Sequence, residues 1–343
     1  MRLLGHELRK LFTGAALWIF VVLCVAFNMW TMPTWLNRDF DTTTPFHENV
    51  FENFNTSILA DMYSSGLTGS ISERMRAKFY ALQPVVDEKA LAGYSYSPYF
   101  GEYTFLMHQN LFGTFGVMGR LLLQGMLLAT LLALLGMGYE KINNTEHGVY
   151  ATRTGRKILR YKIVASLVAG IGIYVLLATV TLATYFTIFD FSGVWSSSVS
   201  SGFNFDGGGM PFTTWHSFTV ASYLWASLGV SLGLVLCFSL MGAAVGTLSK
   251  NGYIGFLIVV LINAVCLLLI MFPTSSYIHY AAFLTPIRLW LSNNYDVNNL
   301  WFTDGGHNIL WRNFELWGTG ISLLLLTVLC ILAVKFFEKR NIA

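Results

Sequence analysis

The chain has 343 residues, of which 11% are charged and 55% apolar, with 27 Phe and 10 Trp. Soluble chains carry about 25% charged residues, and a soluble domain of this size cannot hide so much apolar surface, so a conventional water-soluble fold is excluded and a bilayer must solvate most of it. The net charge of +3 matters through its placement, because Lys and Arg near span ends set the topology of a membrane protein.

In chain order, residues 1–13 place Leu4, Leu8 and Leu11 at i, i+4 and i+7 with Phe12 beside them, while Arg9 and Lys10 turn toward the polar side. That pattern predicts an amphipathic helix lying at the cytoplasmic interface. The uncharged run 14–30 is the first predicted span. It resembles a signal-peptide core, but Thr31 to Phe40 offer no small-residue cleavage site, so it is expected to be retained.

Residues 33–116 form a long outer segment with helical patterning. Phe46, Val50, Phe54, Ile58 and Met62 recur every four residues, and Ile71, Met75, Phe79 and Leu82 follow at intervals of four, four and three. Ser70 and Glu73 have capping-box spacing before the second run. A helical extracellular cap is expected, either a lid that stabilises the bundle or a part of substrate handling.

Five more uncharged runs are each long enough for the roughly 20 helical residues that cross about 30 Å of hydrocarbon. They are 121–139, 163–189, 218–248, 253–272 and 316–334. The runs are continuous rather than alternating, which predicts helices and not barrel strands. Gly229/Gly233 and Gly242/Gly246 in the fourth span have small-xxx-small spacing for close helix contact, within the chain or between subunits. Asn28, Gln124 and Asn263, in or near spans, are expected to bond helix to helix.

Between the third and fourth spans, 190–216 is rich in Ser, Gly and aromatics and reads as a flexible surface loop without a site. Residues 273–315 differ, because Tyr277 to Leu291 is apolar, interrupted by Pro286 and Arg288, and too short to span. A re-entrant or interfacial pair of short helices is expected there, with Trp290, Trp301, Trp311 and Trp317 in an outer aromatic belt. The fold class is thus an all-α polytopic membrane protein with six transmembrane helices.

Placing both termini inside, with the tail 335–343, collects Arg2, Arg9, Lys10, Lys141, Arg153, Arg156, Lys157, Arg160, Lys162, Lys250, Lys335, Lys339 and Arg340 on the cytoplasmic side. Only Glu7, Glu140, Glu146 and Glu338 oppose them there, whereas most acids fall outside. The positive-inside rule is satisfied.

Several chemistries have no support. No G-x-x-x-x-G-K-[ST] segment is present, so no nucleotide is expected to bind by a P-loop. No span carries an acid or His at mid-depth, which disfavours an ion-coupled carrier, and Ser231 in GVSLG has no intramembrane His to activate it. No two of the seven His have H-x-x-x-H spacing, and all four Cys lie in spans, so neither a metal site nor a disulfide-stapled ectodomain is expected. The chain is not expected to be an enzyme, to hold a cofactor or to bind nucleic acid.

The cytoplasmic loop 140–162 carries the strongest signal. It opens with Glu140, continues through Glu146 and Gly148, reaches Thr152 to Arg156 (TRTGR) and ends at Lys162. Positive-inside anchoring alone does not account for Asn143 to Tyr150, which is nearly uncharged. The loop resembles that of ABC-2 type transporter permease subunits, in which an acid closes the second helix, a Glu and Gly introduce a short coupling helix, and a small-residue turn with Arg precedes a Lys on the next helix. The amphipathic start, the six spans and the re-entrant-like segment are similar to that family too. Departures are Thr154-Gly155 where the family often has Pro, and an outer segment longer than the minimal plan.

The resemblance implies a permease half that exports or extrudes an amphipathic, peptide or lipid-like substrate across a bacterial cell membrane. It implies a second copy or related permease as one partner, and a separate ATPase, carrying ATP and Mg, as another. Docking would fall on Asn144, Thr145, Glu146, His147, Gly148, Val149, Tyr150, Arg153 and Thr154. The reading from another class is a membrane-embedded sensor or scaffold whose cap binds a ligand without transport.

Overall fold

The computed structural model describes residues 2–32, 51–93, 108, 110–113, 116–145, 148–149, 155–203, 211–249, 251–295 and 300–339. Among them the chain is helical without β-strands, and isolated bridges (Ser198 to Thr219, Thr214 to Thr303) are its only extended pairings. The helices are α1 Arg2–Phe12, α2 Ala15–Thr31, α3 Thr56–Ser64, α4 Gly69–Ala92, α5 Val117–Ile142, α6 Ile158–Ile188, α7 Val199–Phe203, α8 Val220–Leu248, α9 Gly252–Leu268, α10 Tyr277–Ala282, α11 Pro286–Tyr295 and α12 Phe314–Lys339. Of these, α5, α6, α8, α12 and α9 with its short 3-10 extension to Met271 are long and apolar enough to cross a membrane. The pair α1 and α2, bent by 61°, brings the number to six if it counts as one span. The chain is a multi-pass helical protein.

Local chemistry sets several ends. Thr219 caps α8 reciprocally with Ser222, and the Asn251 side chain accepts from the Ile254 N–H at 2.8 Å to start α9. At its C-terminus α5 stops where Asn144 takes a φ of +54°.

The bundle is organised around α8, which packs on α5, α6 and α12. A Cβ on Gly242 would lie 2.9 Å from the Thr130 carbonyl of α5, and one on Gly233 would meet the Thr319 methyl of α12 at 2.5 Å. Gly246 faces Met137 of α5 at 3.0 Å, whereas a Cβ on Gly229 would meet nothing within 4 Å, so Gly229 makes no close helix contact within the chain. Asn28 and Gln124 exchange two amide hydrogen bonds of 2.9 Å between α2 and α5, and Asn28 also donates to Thr181 of α6. Asn263 donates to the Val259 carbonyl of its own helix and approaches the Met241 sulfur on α8.

The outer end departs most from expectation. Ile71, Met75, Phe79 and Leu82 are buried along α4 as predicted, and Val86 extends the stripe. In α3 the buried apolar positions are Leu59 and Ala60, while Ile58 and Met62 point outward, and Phe54 precedes the helix, which Asn55 caps. Burial there is set by packing on α4, which a regular spacing of apolar residues cannot phase. Phe46 and Val50 lie outside the described residues. The expected capping box does not form: α4 starts at Thr68 without a side-chain cap, and Ser70 instead shares a 2.8 Å hydrogen bond with Tyr277.

The described parts of the segment read as a flexible loop, 190–203 and 211–216, carry core residues, while 204–210, with Gly207 to Gly209, lie outside the described residues. Phe191, Val194, Val199, Phe203, Phe212 and Trp215 are buried, and α7 forms within it. Trp215, Tyr280 and Leu310 join the cap's own core, so all three outer segments meet in one structure. Two buried lysines pin it. Lys78 donates to the carbonyls of Asp304, Gly306 and Ile309 at 2.5–3.0 Å, and Lys89 donates to the Thr214 hydroxyl at 2.7 Å. The predicted pair of short helices is present as α10 and α11. Of the expected Trp belt, Trp301 is buried and donates to the Leu289 carbonyl, Trp290 is partly buried and donates to that of Gly119, and Trp311 is partly buried against the cap. Trp317 remains exposed.

Candidate functional site

Four charges meet at the basic end of the bundle, where sequence reading identified only two. On α1 the face turned to α5 and α6 is Leu4, Glu7, Leu8 and Leu11, so an acid sits inside the apolar stripe. Leu11 is buried, and Leu4, Leu8 and Phe12 are partly buried against the core, as the stripe predicted. Lys10 was expected to turn toward solvent, but it turns inward instead.

Glu7 and Glu140 alternate with Lys10 and Lys162 in a closed ring. Lys10 Nζ lies 2.6 Å from Glu7 and 3.0 Å from Glu140, and Lys162 Nζ lies 3.2 Å from Glu7 and 2.5 Å from Glu140. Each carboxylate therefore touches both ammoniums, and the ring is neutral. Lys162 also donates to the Gly136 carbonyl of α5 at 2.7 Å, and Lys10 stands over the Tyr139 ring at 5.2 Å. Side-chain exposure is 3% for Glu7, 2% for Glu140 and 1% for Lys162, and the neighbouring space holds no water-sized void.

Buried charges of this kind persist only when paired and hydrogen-bonded. Glu140 occupies the last turn of α5, where the helix dipole disfavours a carboxylate, so its placement is accounted for by the lysines and not by its own helix. Glu140 and Lys162 are also the first and last residues of loop 140–162. Their contact closes the loop's base and fastens it to α1. Beside it, Lys141 donates to the Ser249 carbonyl at 2.8 Å, which ties the same end of α5 to the α8–α9 turn.

Of the predicted docking residues, Asn144 and Thr145 are exposed at the loop's start. The Thr145 N–H returns to the Glu140 carbonyl at 2.9 Å. Gly148 is exposed and Val149 half-buried in a helical fragment, with the Val149 N–H on the Thr145 carbonyl at 3.0 Å. Glu146, His147, Tyr150, Arg153 and Thr154 lie outside the described residues. Gly155, at φ +44°, opens the 3-10 turn Gly155–Lys157 that leads into α6, in keeping with the glycine turn read there.

Glu7 and Lys10 were missed as functional candidates. Their signal was available, since an acid three residues after Leu4 and four before Leu11 falls on the buried face and needs a cation. The site joins three helices at the foot of one loop. No family model, curated protein or solved structure matches the chain.

Proposed function

We propose that the chain is the permease subunit of an ATP-binding cassette transporter of the ABC-2 type, with six spans and both termini cytoplasmic in a bacterial cell membrane. It would export or extrude an amphipathic, peptide or lipid-like substrate. A separate ATPase carries the ATP and Mg and docks on the loop 140–162, and a second permease copy or a relative completes the pathway.

The observation that carries this reading is the ion ring at the loop's base. A loop that served only to anchor positive charge would not need its two ends joined through buried ion pairs to a third helix. Because Glu140, Lys162, Glu7 and Lys10 link α5, α6 and α1, a displacement of the loop is passed to three helices together. ATP binding in the partner would supply the work through its differential affinity for one arrangement of the two ATPases.

The test is co-purification with an ATPase encoded beside this chain, then transport by reconstituted vesicles with and without ATP. Binding of the ATPase, ATP-dependent transport, and loss of both on deletion of Glu146 to Tyr150 are expected. An ATPase whose binding and activity survive that deletion unchanged overturns the docking assignment, and a chain that binds no such ATPase leaves the scaffold reading in its place.

A further inference from the structure

A groove runs along the bundle between α6 and α12, with α8 as its floor. Ile163 and Leu167 form one wall, Leu323 and Ile331 the other, and Leu240 lies between, around a cavity of ≈ 740 Å³. Ligand sites commonly measure about 300–1,000 Å³. Arg160 and Lys335 stand at one end of it. There, α6 and α12 are joined by Arg160, which donates to Glu338 at 3.1 Å.

Its dimensions and charge identify the occupant. From Leu323 to Lys335 along α12 the groove is about 18 Å long at 1.5 Å per residue, close to the roughly 15 Å depth of one leaflet in a hydrocarbon core of about 30 Å. The apolar walls thus occupy one leaflet, and the two basic residues fall at its headgroup level. Both are exposed, and Glu338 is the one carboxylate bonded to either among the described residues, so the rim keeps a net positive charge. Basic pockets between transmembrane helices on the cytoplasmic side bind anionic headgroups.

We propose that this groove is a binding site for an anionic phospholipid, with an acyl chain between α6 and α12 and the phosphate between Arg160 and Lys335. Arg160 divides its donors between the phosphate and Glu338. The proposal goes beyond the transport reading and does not depend on it, since a scaffold in the same membrane would hold the same lipid.

The full-length protein, purified in detergent, is titrated with phosphatidylglycerol or phosphatidylcholine of identical acyl chains, and bound lipid is counted by native mass spectrometry. Phosphatidylglycerol is expected to bind about tenfold tighter than phosphatidylcholine. The R160Q/K335Q double variant abolishes that preference, Thr327→Phe, on the groove's wall, weakens both lipids, and Glu338→Gln, which frees Arg160, tightens phosphatidylglycerol. Equal binding of the two lipids by the parent chain overturns the proposal, as does a preference that persists in R160Q/K335Q. If that variant fails to fold, Glu338→Gln decides: weaker phosphatidylglycerol binding makes the Arg160–Glu338 pair structural only and sinks the site. Disulfide-linked dimers formed through Ile331→Cys in native membranes, and absent from the parent, would show that a second copy fills the groove and also overturn it.

Discussion

Lys162 touches two carboxylates and a backbone carbonyl beside a space that holds no water-sized void. Lys162→Met would leave Glu7 and Glu140 facing each other with Lys10 as their only counter-ion among the described residues. Breaking a buried pair by removing one partner costs about 3–5 kcal/mol, and a loss of that size is expected in SDS-titration unfolding of the reconstituted protein. Lys10→Met should cost clearly less, because Lys162 still contacts both acids and Lys10 itself keeps 17% of its side chain exposed. The double variant E140Q/K162M should recover part of the loss, since an uncharged Gln no longer needs the missing ammonium. Equal losses for Lys162→Met and Lys10→Met, or losses below about 1 kcal/mol for both, would class the ring with exposed ion pairs of little worth. The Asn28–Gln124 amide pair sets the contrast: interhelical hydrogen bonds of this sort average about 0.6 kcal/mol in membranes, so Asn28→Leu should cost much less than Lys162→Met.

The four glycines of α8 separate motif from contact. Gly242→Ala would drive a Cβ to 2.9 Å from the Thr130 carbonyl, a backbone atom that cannot rotate away, so a loss of about 1–3 kcal/mol from overpacking is expected in the same unfolding assay. Gly229→Ala meets nothing within 4 Å and should be neutral or slightly stabilising through helix propensity. Equal losses at both would mean that backbone flexibility, and not close approach, is what α8 needs from glycine. The cap offers a pH test. Burial pushes the Lys89 amine down to about 7, partly offset by Glu88, and that of Lys78 down to about 8, partly offset by Asp304. An unfolded lysine holds its proton to about 10.4, so above pH 7 the unfolded cap binds more protons than the folded one and stability rises with pH; below 7 these lysines contribute no slope. Thermal unfolding followed from pH 6 to 9 should show that rise, and Lys89→Met should move its onset from about 7 to about 8. A flat profile in the parent would mean that both ammoniums stay charged in the folded cap. These elements also show what the sequence could and could not convey. The long apolar helices were legible because a missing charge is a local property, and the stripe of α4 because its period matches the helix. The phase of α3, the open space around Gly229 within the chain and the buried residues of 190–203 were not, since each depends on which distant surface packs against it. The ring was half legible: Glu140 and Lys162 bracket a loop, but Glu7 and Lys10 enter it only once α1 folds back on α5 and α6.

At the scale of the whole molecule, two fastened ends are joined by long apolar helices. One is the cap, held on both other outer segments by Lys78 and Lys89; the other is the loop 140–162, held by the ring. The transport reading requires these ends to lie on opposite sides of the membrane, with the loop inside as the positive-inside rule predicts. The four cysteines lie in helices as free thiols, three buried and Cys266 partly so, so a cysteine-free background can carry single reporters. Ser65 at the end of α3 and Asn144 at the start of the loop are both exposed, and each becomes a reporter as Ser65→Cys or Asn144→Cys. A membrane-impermeant maleimide applied to intact cells should label the first and not the second, and permeabilisation should expose the second. Labelling of both in intact cells would place cap and loop on one side, with an odd number of crossings between Ser65 and Asn144 excluded. Labelling of Asn144→Cys alone would invert the molecule, put the loop out of reach of any cytoplasmic ATPase, and remove the transport reading together with the topology on which it stands.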